Sequence, residues 1–178
     1  ASEATLALAA SLDVGLAEAA TLAGSTLRSF GLDTTETQRV VDVMAKSASS
    51  SALDFSSLTE SLKLVAPTSR AVGLTIEQTT AMLGALANSG LKGSVAGTGL
   101  SKTFIELNKK GLTLEQAFAK INSSSNKLNT AIELVGVVGA KSLQTLANSA
   151  GDIDVLTKSL ENAEGAAKAI AETRLDNL

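Results

Sequence analysis

GLTIEQTTAMLGALANSGLKGSVAGTGLSKTFIEL, residues 73–107, reads as a helix start, a helix, a glycine-punctuated corner and a second helix. Thr75 followed three residues later by Gln78 is a capping box: the hydroxyl and the amide each satisfy a backbone N–H that a first helical turn leaves unpaired. The spacing predicts a helix from Thr75 with Ile76, Thr79, Thr80, Leu83, Leu86 and Ala87 on one buried face. Gly90 closes it in the left-handed conformation, which costs a residue without a Cβ little. Gly93 and Ser94 open the next helix, whose stripe is Ala96, Leu100, Phe104 and Leu107. Gly97 and Gly99 lie beside that stripe, where small residues let two helix backbones approach.

A glycine-rich run before a helix also suits phosphate binding, but the spacing here does not. A P-loop needs glycine directly before its Lys, and Gly99 is followed by Leu100, Ser101, Lys102 and Thr103. A dinucleotide fingerprint needs a buried strand before the loop, and the preceding segment is helical. Close helix packing is the better reading.

The same periodicity continues along the chain. Leu8, Leu12, Leu16, Ala19, Ala23, Leu27 and Phe30 recur in steps of three and four, as one helix or two joined near Asp13 to Gly15, ending at Gly31. Asp33 with Glu36 and Thr35 with Gln38 are candidate caps for a helix burying Val40, Val41, Met44 and Ala48. Ser47 to Ser51 reads as a loop or frayed turn. Ser57 with Glu60 is a candidate cap for a helix bearing Leu58, Leu62 and Val65, and Pro67 predicts a kink or break. Thr113 with Gln116 starts a short helix containing Ala117, Phe118 and Ile121. Leu128, Ala131, Ile132, Val135 and Val138 form one further stripe, and Leu143, Leu146 and Ala147 another. Ile153, Leu156, Leu160, Ala163, Ala167, Ile170 and Arg174 have heptad-like spacing. That pattern predicts a C-terminal helix over 152–178, able to continue into a coiled coil and to self-associate.

The expected fold is all-α: a compact bundle of about eight to ten short helices with glycine corners, one domain over 1–178. Hydrophobic residues make up 44% of the chain but only four are aromatic, so the core is built from Ala, Leu, Val and Ile. That composition favours helices packed closely. There is no Cys and no His, which removes disulfides, the usual zinc sites, thiol nucleophiles and His-based triads. Asp152 with Asp154 and Glu161 with Glu164 sit within single turns, where acids suit a helix N-terminus and do not converge as a hydrolase pair does. The sequence therefore offers no catalytic, metal or cofactor-binding residue and no small-molecule substrate. The net charge of −3 disfavours non-specific DNA binding by the whole chain. Residues 91–141 nevertheless hold seven Lys against three Glu, a local excess of four that suits a solvated face or weak contact with DNA or an acidic surface. No apolar run reaches the roughly 20 residues of a membrane span. An initial Ala without Met suggests an excised or processed piece.

VAPTSRAVGLTIEQTTAMLGALANSGLKGSVAGTGL, residues 65–100, resembles the core region of the phage tail tape measure protein family: an apolar Ala-Pro segment, a capped helix ending in Leu-Ala-Asn-x-Gly, then Lys-Gly-Ser and Ala-Gly-Thr corners. Similar echoes occur at GSTLRSFGLD, ASSSALDFSSLTESLK, GAKSLQTLAN and ENAEGAAKAIAETRLDNL, so the resemblance covers most of the chain. It implies a non-enzymatic structural component of a phage or prophage tail, acting in tail length determination, tube assembly and genome ejection. It also implies tail tube and tail tip partners, and a place in the virion's tail lumen or tip after assembly in the host cytoplasm. The alternative is a helical module that contacts a host membrane or envelope protein during DNA delivery. Glu60-Ser61 invites a cell-wall-cleaving reading, because lytic transglycosylases place a catalytic Glu before a Ser. No Gly-Leu-Met-Gln-like stretch accompanies it and the chain has no Tyr, so Glu60 reads as a capping residue. A single helix of 178 residues would reach about 270 Å at about 1.5 Å per residue, but the frequent glycine stops predict folding back.

Overall fold

The computed structural model describes residues 3–176. Ten α-helices and no strand occur among them: α1 Glu3–Leu12, α2 Leu16–Phe30, α3 Thr37–Ser49, α4 Phe55–Ala71, α5 Ile76–Asn88, α6 Gly93–Lys109, α7 Leu114–Ser123, α8 Lys127–Asn148, α9 Ala150–Glu161 and α10 Ala166–Leu175. The all-α bundle expected from the periodicity is what forms.

α5 lies at the centre. Thr75 Oγ1 accepts from the Gln78 N–H at 3.2 Å and the Gln78 Oε1 accepts from the Thr75 N–H at 3.0 Å, which completes the expected capping box. Beyond the cap the helix is buried on nearly every side, and not on one face, because α3, α4, α6, α8 and α9 all pack on it. Thr79 and Thr80 tolerate this burial by donating to the carbonyls of Thr75 and Ile76, each at 2.8 Å. Gly90 has φ +82°, and the chain turns there as predicted.

On one side of α5 a layer runs α2, α4, α6, α8, α7 in order of contact, and on the other α1, α3 and α10 pack together. α4 and α6 form the most extensive helix pair. Their closeness comes from Gly97, where a Cβ would lie 2.8 Å from the Ser61 carbonyl oxygen. Gly99 does the same for α8, where a Cβ would lie 2.1 Å from Ser142 Oγ. One large apolar core serves α1 to α6 with α9, α10 and, through Leu146, α8, and a smaller one built on Leu107, Ile121, Leu134 and Leu143 lies beneath α6, α7 and α8.

Several expectations need correction. Pro67 neither breaks nor ends its helix: α4 runs continuously through it. Pro67 and Lys63, whose carbonyl loses its usual donor, are both exposed, so water can satisfy that carbonyl, while buried Val65, Ala66 and Ser69 hold the far side. The cap of α4 is Asp54 and not Ser57. Asp54 accepts from the Ser57 N–H at 2.8 Å and Ser57 Oγ accepts from the Asp54 N–H at 3.0 Å, which places Glu60 inside the helix. Asp33 caps only a 3₁₀ turn, Thr34–Glu36, before α3 begins.

The stripe over residues 128–138 is also interrupted. Gly136 has φ +74° and ψ 171°, which breaks the α8 ladder and rotates the helical turns beyond it, leaving Val137 77% and Val138 59% exposed. Of the single helix expected over 152–178, residues 177–178 lie outside the described residues, and the described part is two helices, α9 and α10, separated at Asn162 to Gly165 with Gly165 at φ +76°. The apolar stripe of that segment turns inward: Leu160, Ala163 and Ala167 belong to the chain's own core. In this folded form it is not a free seam for a coiled coil.

Candidate functional site

The polar groups of this chain mostly serve to end or anchor helices, and the most elaborate set lies where α3 meets the α9–α10 turn. Asp42 interrupts the apolar run Val40-Val41-Asp42-Val43-Met44 and is buried with its neighbours, only 1% exposed. Its Oδ2 accepts from the Gly165 N–H at 3.0 Å and its Oδ1 from the Ala167 N–H at 2.9 Å. Gln38 Nε2 donates to the same carboxylate at 3.1 Å. A carboxylate more than a hundred positions away in sequence thus caps α10, whose own N-cap residue, Gly165, has no side chain to do so.

One turn earlier on α3, Arg39 Nε donates to Glu77 Oε1 at 2.8 Å and its Nη1 donates to Glu36 Oε2 at 2.6 Å. Burial works to raise the Glu77 carboxyl, but hydrogen bonds from Arg39 and the backbone outweigh it and hold the group below its ordinary 4.5. The Arg39 guanidinium is correspondingly raised by its hydrogen bonds to Glu77 and Glu36. A carboxyl held low in the folded state adds stability above its unfolded value that is lost as pH falls through the folded one. Arg39→Ala should therefore cost about 2 kcal/mol at neutral pH, less than a fully buried pair because Arg39 is 43% exposed. That deficit should shrink between pH 7 and pH 4 as the stranded Glu77 takes up a proton. Urea denaturation of both proteins at the two pH values measures it.

Around these residues opens a groove of about 420 Å³, floored by Val43, Leu160 and Ala163 and rimmed by Glu36, Glu161 and Glu164. Five carboxylates and one guanidinium line it. Among the described residues no cluster of three or more His, Cys, Asp or Glu has the geometry to hold a metal.

At the glycine corner, Gly99, Lys102 and Thr103 lie well inside α6, which begins at Gly93. Their amides are spent within the helix, and Thr103 Oγ1 donates to the Gly99 carbonyl at 2.9 Å, so nothing there cradles a phosphate. Glu60 does cap a helix, though not its own: its Oε2 accepts from the Ser94 N–H at 3.3 Å, at the start of α6. Lys110 plays the converse part. Its Nζ donates to the carbonyls of Glu133 and Leu134, which the Gly136 break deprives of helical partners.

Asp42 and Lys110 carry roles that residue spacing did not assign. For Asp42 a signal existed: a charged residue amid an apolar run must find partners if buried. Lys110 gave none.

A family described as phage-related minor tail protein matches residues 1–174. The tape measure protein of Pneumococcus phage Dp-1 is 32% identical over 182 aligned residues, covering 86% of this chain and 16% of that protein. The probable tape measure protein of Escherichia phage P2 is 26% identical over 180, covering 84% of this chain and 22% of that protein. The chain thus spans about a fifth or less of these relatives' lengths. No solved structure matches. With the capped helices and glycine corners of residues 65–100 in place and the match running over nearly the whole chain, the chain belongs to the phage-related minor tail protein family, the family of the tail tape measure proteins.

Proposed function

We propose that this chain is a folded, non-catalytic portion of a longer tape measure protein. It contributes to tail length determination, tube assembly and genome ejection through contacts with tail tube and tail tip proteins, in the virion's tail lumen or tip after assembly in the host cytoplasm. The family match over residues 1–174 carries the reading. The fold supports a role as a block and not as the ruler, because a chain that would reach about 270 Å as one continuous helix, at about 1.5 Å per residue, instead folds back on itself around α5.

In-frame deletion of residues 3–176 from the parent gene, with tails imaged by electron microscopy, tests this. Failed or non-infectious tails, with any that form keeping their normal length, are expected. Tails shortened in proportion to the deletion would make the segment part of the ruler, and normal infectious tails would remove it from tail function altogether.

The second reading is contact with the host membrane or an envelope protein. No single helix among the described residues is long and apolar enough to cross a membrane, but α1 and α2 together are, bent by 111°. Their apolar residues, Leu8, Ala19, Leu22 and Leu27 among them, are buried in the core. This reading therefore requires the bundle to open, and leakage from dye-loaded vesicles mixed with the folded chain tests whether it does.

A further inference from the structure

α10 is joined to α9 but rests on other helices. It packs on α1 and α3, more than a hundred positions earlier in the chain, and scarcely touches α9. Its buried residues are Ala167 and Ala171, with Ile170 partly buried against the main core. Its first turn is capped by Asp42 of α3, which accepts from the Gly165 and Ala167 N–H groups. Further along, Lys168 Nζ approaches Glu3 Oε1, at the start of α1, to 3.9 Å. The seat of α10 is thus supplied by α1 and α3, and the connection from α9 only delivers the helix to it.

That connection is four residues, Asn162 to Gly165. On its near side Leu160 and Ala163 are 1% and 3% exposed, which holds α9 in the core. On its far side Glu164 and Gly165 are exposed. Gly165 has φ +76°, and a Cβ there would meet nothing within 4 Å, so the left-handed backbone and not packing is what calls for glycine. The apolar spacing ignores the break: Leu156, Leu160, Ala163, Ala167 and Ile170 recur in steps of four, three, four and three, as on one continuous helix. Were residues 162–165 helical, α9 and α10 would form one helix and α10 would leave the seat in its own copy.

We propose that α10 is an exchangeable arm. In a pair of copies, residues 162–165 become helical, α10 of each copy fills the seat on α1 and α3 of the other, and Asp42 of one copy caps α10 of the other. The exchange is reciprocal, so neither seat is left empty, and it needs no new surface, because the contacts are those made within one copy. Only the conformation of the connection differs between the two arrangements. The inference stands whether or not the tail role proposed above is correct.

The chain has no Cys, so single introduced cysteines report which copy fills which seat. Glu3→Cys and Lys168→Cys are placed on separate chains, both at exposed positions. The two chains are unfolded together in urea, refolded at several hundred micromolar and separated into monomer and dimer by size exclusion. Each fraction is then diluted and treated with a short bismaleimide. The dimer is expected to carry a link between residue 3 of one chain and residue 168 of the other, located by peptide mapping, and the monomer none. Gly165→Ala should raise the dimer-to-monomer ratio at least tenfold, because alanine disfavours the left-handed region and favours the helix. Gly151→Ala, within α9 in both arrangements, should leave the ratio unchanged. Circular dichroism confirms that each variant folds. A chain with the native connection that refolds only to monomer overturns the proposal. So does a dimer without the link from 3 to 168, which assigns association to another surface, and so does a Gly165→Ala that behaves as Gly151→Ala.

Discussion

Gly97→Val is expected to lower stability by about 3 kcal/mol, the upper part of the range for forcing a side chain into a packed core. A Cβ at residue 97 would lie 2.8 Å from the carbonyl oxygen and 2.9 Å from the Cα of Ser61. These are backbone atoms of a helix, and no rotamer change moves them aside, so α4 and α6 must separate. Separation would also strain the bond from Ser61 Oγ to the Gly93 carbonyl, now 2.9 Å, and loosen Leu62, Ala96 and Leu100 in the main core. For a chain of this size the loss corresponds to a fall of roughly 10 °C in Tm, measurable by thermal melts followed by circular dichroism. Gly151→Ala is the control. Gly151 lies in the first turn of α9 with nothing within 4 Å of a Cβ. Replacing a helical glycine by alanine there should be neutral or stabilising by up to about 1 kcal/mol. Equal losses at the two positions would mean that the α4–α6 approach is not what Gly97 provides.

Asp42→Ala should cost about 3 kcal/mol, since it strips hydrogen-bond partners from several buried donors at once and each such loss costs roughly 1–3 kcal/mol. The N–H groups of Gly165 and Ala167 and the amide of Gln38 all donate to this one carboxylate. The loss should also be local. α10 rests on α1 and α3 mainly through the small side chains of Ala167 and Ala171, which bury little area, so the cap bears much of its docking. Hydrogen exchange should show the amides of residues 167–175 losing protection while those of α5 keep theirs. Asp42→Asn should fall between the two, because one amide oxygen can replace Oδ1 but an NH₂ cannot accept from Gly165. Uniform loss of protection through α5 would mean that α10 is not a separately docked element.

The expectation that the last segment self-associates through its own stripe changes with the same geometry. Leu160 is 1% exposed and Ala167 fully buried. Substitution with Asp at 160 therefore attacks the fold itself, whereas the exposed valines of α8 can be changed with the core intact.

Residue order alone made the local set legible: the all-α class, the caps at Thr75–Gln78 and Thr113–Gln116, the stops at Gly31 and Gly90, and the buried stripes of α5 and α6. These are interactions over three or four residues, so residue types and spacing contain all that is needed to read them. Even there, competition misled: Ser57–Glu60 has the form of a box, but Asp54 stands one turn earlier and uses Ser57 as its partner. Packing between distant segments decided the rest. Asp42 capping α10, Glu60 capping α6 and Lys110 donating to the carbonyls before Gly136 each join groups that only the assembled bundle brings together. Pro67 stays helical because its unsatisfied carbonyl faces water while the opposite side is held in the core. Val137 and Val138 reach solvent because a glycine used its freedom at residue 136 and not at 139, where the backbone is held against α6 through Thr103. A helix end needs a partner wherever it is buried, and sequence spacing shows that partner only when it lies within the same turn.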